Sequence, residues 1–591
     1  MDKNQATGLL LFAGVLLIYS LFFASGPESL PQEEAVEQIV QNTPDVQPQR
    51  GVPEVEGDSL SQVKLQQQFG VFASAAQGEE RIVVLENEDI VVTFSSKGGE
   101  IQRVQLKEFK TWEMEPLYLI EEGFTSFSYQ LPGKNGPVDL NDLYFSVEEG
   151  AGSVVFIART GAGSVRRTYT LGASGFELQH NIQVQNLAGE LTGQSIQLEW
   201  DARLKRLEED LEESRRKTYM NYYTSDGSYD YLTTGNSEDE AQVSKPLHWV
   251  AFKQRFFTAG VIADESFAGG TLTQSTDETD TNLEKSMSAS LSLPLQGGAA
   301  SLRYYFGPNN YNILRKVAPD FDKNVDMGYF FVSWVNKYII VNLFHFLEKY
   351  FANYGVIIIL IVFIIKLFLL PLTYKSYIGM AKMRVIKPEI DELKEKYGED
   401  PAKMQQEQMK LFGQLGVSPI SGCLPMVLQM PFLLAMFFFF PNSIELRQES
   451  FLWAHDLSTY DTFIKLPFTI PFYGAHVSLF TLLMTISQIA YTHFNNQLTT
   501  AQGPMKNIGY IMPVVFMFVL NSFPAALSFY YFVSNMVTFG QQALIKQFVD
   551  DDKIREKVEE TKLKNANKKK SKFQLKLEEA MKNADAKKKK K

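Results

Sequence analysis

The stretch Val356–Leu370, VIIILIVFIIKLFLL, holds one ionisable residue, Lys366, among Ile, Leu, Phe and Val. An apolar run of this kind between Tyr354 and Lys375 reads as a membrane-spanning helix. At about 1.5 Å rise per residue, Lys366 lies roughly 13 Å from Lys375 and roughly 18 Å from Tyr354, in the inner third of a bilayer. A charge at that depth costs a few kcal/mol even on lenient insertion scales, so it marks a functional position by default. The alternative is an anchor: the lysine stem can snorkel to the nearer interface and leave only its methylenes in lipid.

The rest of the chain falls into two unlike parts. Of 591 residues, 45% are hydrophobic, but these concentrate at the far N-terminus and after about residue 325, with a polar region between. That division implies a membrane protein with a large water-exposed domain. The net charge is −11, yet the chain ends in KKKKK and carries NKKKSK at Asn567–Lys572, so the acidity belongs to the polar region and the basic excess to the tail. One cysteine, Cys423, excludes a disulfide framework, and the six histidines form no HxxxH pattern. With no phosphate-binding loop, nucleophile elbow or metal-ligand spacing, no enzymatic activity, cofactor or metal is expected.

Along the chain, Gly8–Phe23 reads as a signal anchor spanning the membrane within residues 1–26, uncleaved although FFASG offers a cleavage site. Residues 27–80, rich in Pro, Gln and Glu, read as a disordered linker. Residues 81–320 carry alternating runs such as FELQHNIQV between closely spaced turn signals, and predict an antiparallel β-sandwich on the exported side. The charged stretch Leu204–Lys217 reads as a solvated excursion. Residues 321–352 mix aromatics with Asn336, Lys337, His345 and Glu348, which suits an amphipathic helix in the interface. Residues 353–546 hold five further spans and a basic helical hairpin at about 377–416, broken at YGEDP. With this hairpin and the 547–591 tail inside, the positive-inside rule gives six transmembrane helices in one α-helical bundle, both termini cytoplasmic and the β-domain outside.

Two polar stripes run along the spans. Tyr531, Ser534, Asn535, Thr538, Gln541 and Gln542 share one face of the last helix, and Ser478, Thr481, Thr485, Gln488 and Thr492 one face of the fourth. For the hydroxyl stripe, helix packing is the simpler role. The amide-rich stripe, with a lysine nearby, points to a hydrated cavity. Pro425 and Pro431 flank Gln429 and Met430 in the third span, which predicts a kinked helix and an adaptable apolar wall.

Five segments then carry a specific likeness: FIIKLFLLPLT (363–373), YIGMAKMRVIKPEIDELKEKYG (377–398), GCLPMVLQMPFLLAM (422–436), ELRQESFLWAHDLS (445–458) and FPAALSFYYFVSNMVTFGQQ (523–542). In order and spacing they closely resemble the YidC/Oxa/Alb family of membrane protein insertases. SSKGGEIQRVQL, WVAFKQRFFTAGVIA and YFGPNNYNILRKVAP are similar to the large periplasmic domain of its Gram-negative members. The resemblance implies an inner-membrane protein with a groove open to the cytoplasm and to lipid. It puts one positive residue, usually arginine, at Lys366, and groove-wall positions at Met430, Leu433, Tyr530 and Tyr531; Gln429 of the third span and Ser534 and Asn535 of the polar stripe are expected to complete the wall and sliding surface. Leu433 stands where the family often has an aromatic residue, and Val362 where it has a threonine. Lysine keeps the charge and loses the planar fork of arginine.

A fixed positive charge in a wet groove shortens the path of a polar, acidic exported segment across hydrocarbon. Implied partners are nascent membrane proteins, the Sec translocon and the lipid bilayer, with ribosomal RNA reached through the basic tail by nonspecific electrostatics. An ion-coupled small-solute transporter is the second reading, disfavoured by the lack of an internal repeat and of an acidic residue in the spans. An intramembrane hydrolase lacks a paired nucleophile and base.

Overall fold

The structure, a computed structural model, describes residues 58–233, 237–398, 400–417, 424–471, 473–498 and 504–566. The expected signal anchor, linker residues 27–57, Cys423 and the Lys-rich end of the tail lie outside the described residues. The chain divides into two units between Gly307 and Pro308.

The first unit is built on alternation. In Ser164–Leu171 every second side chain is buried, as a strand with one face on a core requires. Nine strands form the largest sheet, in the order Tyr229–Tyr231, Tyr219–Thr224, Leu247–Lys253, Phe257–Phe267, Ala299–Pro308, Glu177–Gln185, Ser164–Leu171, Ser153–Arg159 and Ser146–Gly150. Six more form a second sheet, from Glu238–Val243 through Gly270–Ser275, Leu283–Pro294, Ser195–Lys205 and Thr125–Gly133 to Gly136–Asp139. The registers described are antiparallel. Trp200 of the six-stranded sheet stacks on Phe252 of the nine-stranded one with centroids 3.6 Å apart, and Phe127 meets Tyr304 edge-on at 5.3 Å. These aromatic contacts close a sandwich core.

A third sheet of four strands, Ile82–Glu86, Ile90–Ser95, Glu100–Lys110 and Pro116–Ile120, packs Phe94 against Tyr169 of the nine-stranded sheet at 4.6 Å. Its Gly98–Gly99 turn is held by the fully buried Arg167. The guanidinium donates to the Gly98 carbonyl (2.6 Å), the Tyr169 hydroxyl (2.6 Å) and His180 Nε2 (3.3 Å), and lies 4.4 Å from the Tyr129 ring centroid. Both glycines have positive φ, and a side chain at Gly99 would meet Phe156 at 3.0 Å.

Two stretches depart from the sequence reading here. Asp58–Phe69 (α1) is helical, followed by a 3-10 helix, Gly70–Ala75, so the expected linker is ordered over its last part. Phe72 and Ala75 are buried there, and the Tyr144 amide donates to the Ala75 carbonyl at 2.7 Å. One aromatic anchor fixes a stretch whose composition is that of a linker. Within 204–217, Leu211–Lys217 (α2) is a helix capped by Asp210, whose carboxylate accepts from the Glu213 amide at 2.9 Å. Arg215 ties it down by donating to the Leu283 carbonyl at 2.9 Å.

The second unit is helical. By its contacts Pro308–Asp320 falls in this unit, where Asn310 donates to Glu445 at 2.8 Å. Phe330–Val335 (α3) and Val341–Glu348 (α4) are joined by a π-helical turn, Asn336–Ile340. The buried Asn336 side chain donates to the carbonyls of Met327 and Ala435, both at 3.0 Å, while Phe330, Trp334, Tyr338 and Tyr350 are exposed. Tyr354–Val385 (α5) is one 32-residue helix, so the Lys366 span runs through Pro371 into what the sequence reading assigned to the hairpin. Lys387–Tyr397 (α6) and Pro401–Leu415 (α7) follow, the second capped by Asp400, which accepts from the Lys403 amide at 3.1 Å. Then come Leu424–Asn442 (α8), Leu479–Leu498 (α9), Pro504–Leu520 (α10) and Ala525–Phe548 (α11).

By length and composition, Phe330–Glu348 and α5 both suffice to cross a membrane, and Gln429–Asn442 and Ile508–Leu520 are shorter apolar helices. The first of these is the segment read from sequence as interfacial. Asp551–Ala566 (α12) opens the tail and packs on the hairpin. Its Ile554 and Val558 are buried among Ile386, Ile390, Phe412 and Leu415. Arg384 pairs with Asp551, and Asn565 donates to the Gln414 carbonyl at 3.2 Å.

Candidate functional site

Helix α11 follows Pro524, whose ring suits a helix start, and packs against both α5 and α9. One of its faces therefore meets Lys366. The ammonium, 4% exposed, donates to Thr538 Oγ1 at 2.8 Å, and the Thr538 hydroxyl donates to the Ser534 carbonyl at 2.7 Å. A lysine has three donors, and among the described residues this is its one side-chain acceptor within hydrogen-bond distance; no carboxylate lies within ion-pair range. The charge is enclosed and keeps unspent hydrogen-bonding capacity.

The same face steadies the helix that carries it. Pro371 lacks the amide that the Leu367 carbonyl would otherwise receive. One residue earlier, the Lys366 carbonyl accepts from Gln541 Nε2 at 3.0 Å. The Oε1 atoms of Gln541 and Gln542 are buried without a protein hydrogen-bond partner among the described residues, as is Asn496 Nδ2 on α9. Buried amides left open on facing helices are groups that a polar guest or water can satisfy.

A second cluster lies nearer the N-terminal end of α11. Tyr530 is buried, with its ring 5.8 Å from Phe440 of α8 and 5.7 Å from Tyr531. The Tyr531 hydroxyl donates to the Leu433 carbonyl at 3.1 Å. Gln429 and Leu433 are half-buried, and Met430 is 49% exposed. Asn535 faces the other neighbour and donates to Ser487 of α9 at 3.0 Å. The site residues read from sequence thus divide among Lys366 with Ser534, the Tyr530–Tyr531–Leu433 wall, and the Asn535–Ser487 bridge. Gln429 and Met430 precede Leu433 on α8, Met430 with its side chain half exposed.

Thr538 and Gln541 belong with these residues. Both sit on the polar stripe of α11, and helical periodicity alone cannot say which stripe residue faces α5. At the start of the α9 stripe the hydroxyls are engaged: Thr481 meets Ser528 at 2.9 Å and donates to the Leu520 carbonyl at 3.2 Å, and Thr485 donates to the Thr481 carbonyl of its own helix at 2.8 Å. Unforeseen from sequence is the buried Asp461. Its carboxylate accepts from the Leu479 amide (2.8 Å), the Phe480 amide (3.2 Å) and Trp453 Nε1 (2.8 Å), and caps α9.

Comparison with known proteins places this arrangement. Residues 346–553 match the profile of the 60Kd inner membrane protein family, and residues 82–341 that of the YidC periplasmic domain. A protein of Amoebophilus asiaticus named membrane protein insertase YidC is 43% identical over 98% of both chains. The chain belongs to the YidC family. A YidC of Cytophaga hutchinsonii is likewise 43% identical over 98% of both chains, and one of Parabacteroides distasonis 37% identical over 98% of this chain and 97% of its own. The likeness to YidC proteins therefore covers the β-rich unit and the helical unit alike.

Proposed function

We propose that this chain is a membrane protein insertase, as its YidC relatives are named. The observation that carries the reading is Lys366: a cation in an apolar helix, enclosed by a polar face of α11, with Thr538 as its one side-chain acceptor and no counter-charge among the described residues. Such a group attracts an acidic or polar segment without holding one of its own. An exported client segment moves along Lys366, Ser534 and Asn535, and the client's apolar helix leaves over Gln429, Met430, Leu433, Tyr530 and Tyr531 into lipid. The wall supplies adaptable contacts rather than specific ones.

In this reading six helices cross the inner membrane: an N-terminal anchor within 1–26, then α5, α8, α9, α10 and α11. The α3–α4 segment lies in the interface, its exposed Phe330, Trp334 and Tyr338 suited to the headgroup boundary. The α6–α7 hairpin and both termini are cytoplasmic, and the β-rich unit is periplasmic. The hairpin receives clients, the basic tail meets the ribosome, and the Sec translocon is a partner for longer clients. No chemical conversion is involved. The solute-transporter alternative gains no support from the site, where no acidic group is paired with Lys366 among the described residues. Purified protein in liposomes tests the choice. Insertion of a short single-span client without ATP is expected, and solute uptake without insertion would refute it.

A further inference from the structure

Between α8 and α9 the chain forms a two-stranded hairpin, Ile464–Ile470 with Gly474–Val477, registered through Ile464 with Val477, Lys465 with His476 and Ile470 with Gly474. Its base is rigid. Asn521, fully buried just beyond α10, donates to the carbonyls of Tyr473 (2.8 Å) and His476 (2.9 Å) and accepts from the Ser478 amide (3.0 Å). His476 Nε2 in turn pairs with the Asn521 carbonyl at 2.9 Å, and its ring stacks on Tyr460 with centroids 3.9 Å apart. The first strand has the opposite character. Phe463, Ile464 and Phe468 are 53%, 50% and 61% exposed, and Lys465 is the one charge in 463–471.

The register shifts between Lys465 and Ile470, so exposure rather than regular alternation marks the bare apolar side: Phe463, Ile464 and Phe468 are exposed, while Leu466 and Ile470 are half-buried. An isolated two-stranded ribbon is at best marginally stable in water, and an apolar edge invites aggregation. Braced in place with its apolar side bare, this one calls for a cover. The surface it continues tells which. Tyr473, at the turn, packs edge-on against Phe518 of α10 at 5.3 Å, and Phe518 belongs to an exposed apolar flank with Ile508, Ile511 and Val515. If α10 spans the bilayer, that flank faces lipid, and the hairpin strand extends it past the helix end.

We propose that the 463–471 strand is an interfacial anchor, seated in the outer headgroup region of the bilayer with Phe463, Ile464 and Phe468 in contact with acyl chains. The depth follows from the backbone. A two-stranded ribbon keeps unpaired amides and carbonyls on its outer edges, which hydrocarbon does not tolerate. Pro467 and Pro471 carry no amide hydrogen and so leave fewer backbone donors to satisfy, and Lys465 reaches back to lipid phosphate. The strand therefore lies shallow and parallel to the surface, fixing the outer end of the bundle against the leaflet. This rests on the spanning role of α10 proposed above.

The test uses the full chain in liposomes. Cys423 is replaced by Ser, and an environment-sensitive dye is attached at Phe468→Cys, at Thr469→Cys or, as a control, at Ile511→Cys. Quenching by lipids carrying a nitroxide near the headgroup is compared with quenching by aqueous iodide. Expected is at least threefold stronger lipid quenching at 468, the reverse order at 469, and lipid quenching at 511. Iodide reaching 468 as it reaches free dye would overturn the anchor, and so would protection of 468 from both quenchers, which means that a second copy or another protein covers the strand. Loss of lipid quenching at 511 would instead refute the spanning role of α10.

Discussion

Replacing Lys366 by Gln separates charge from polarity at the proposed client path. The ammonium is enclosed, so a client carboxylate passes it about one side-chain layer away, on the order of 8 Å. At an effective dielectric of about 20 the attraction is about 2 kcal/mol, roughly a thirtyfold change in the rate of a step limited by that passage. The assay is insertion, into liposomes, of two single-span clients that differ only in an acidic or a neutral exported segment, followed by protease protection. Lys366→Gln is expected to slow the acidic client by roughly ten- to thirtyfold and the neutral one by less than about threefold. Lys366→Arg keeps the sign and is expected to support growth of cells depleted of the native protein; Lys366→Glu is not. Equal slowing of both clients by Lys366→Gln, or growth with Lys366→Glu, would show that attraction between Lys366 and the client is not the driving term.

Four structural consequences are open to measurement. Asp461→Ala removes the α9 cap and leaves Trp453 Nε1 without its acceptor, a loss of about 2–4 kcal/mol in unfolding free energy by chemical denaturation in detergent. Gly355→Ala places a methyl 2.1 Å from a Phe451 ring atom, so a loss of about 1–3 kcal/mol is expected in the same measurement, partly restored in the double variant with Phe451→Leu. Ile554→Ala removes packing worth about 2–5 kcal/mol between α12 and the hairpin, and amide exchange over 387–415 should quicken at least tenfold while the β-rich unit is unchanged. The last concerns pH. Burial, and then Arg167, hold His180 well below the usual imidazole range, so the unfolded chain binds a proton that the folded one refuses, and stability falls as pH drops below about 6.5. Burial pushes Glu100 up to about 7 against the opposing pull of Arg167, so the folded state binds a proton there first and gains stability as pH falls from about 7 to 4.5. The two slopes oppose above about pH 4.5. Unfolding followed by the fluorescence of Trp200 and Trp249 should therefore show Glu100→Gln losing stability from pH 6.5 downward, at up to about 1.4 kcal/mol per pH unit. An unchanged profile in Glu100→Gln would refute the pairing.

Much of this molecule is legible where a period repeats. Alternation in FELQHNIQV and the apolar run around Lys366 each state a local structure, because burying one face of a strand or all faces of a spanning helix constrains every residue in it. What escapes is anything decided by a single contact. Phe72 orders a stretch with linker composition, and Ile554 and Val558 seat the start of a tail whose charge gave no sign of packing on the hairpin. The 464–477 hairpin was hidden for the opposite reason: IKLPFTIPF is apolar enough to read as part of the approach to the next span, and its strand pairing depends on Asn521, some fifty residues away.

The site shows the same limit in sharper form. Lys366 declares itself because its cost is a property of one residue in one kind of surroundings, independent of any partner. Its acceptor does not, since Ser534, Asn535, Thr538, Gln541 and Gln542 share a helical face and differ only by rotation about α11. In the structure that rotation gives Thr538 to Lys366, Gln541 to the backbone beside Pro371, and Asn535 to α9. A threonine hydroxyl accepts from one N–H and leaves the charge uncompensated, where a carboxylate in its place would have neutralised it. The choice of partner, not the presence of the lysine alone, keeps this position able to attract an acidic segment, and that places Thr538 beside Lys366 in the working part of the bundle.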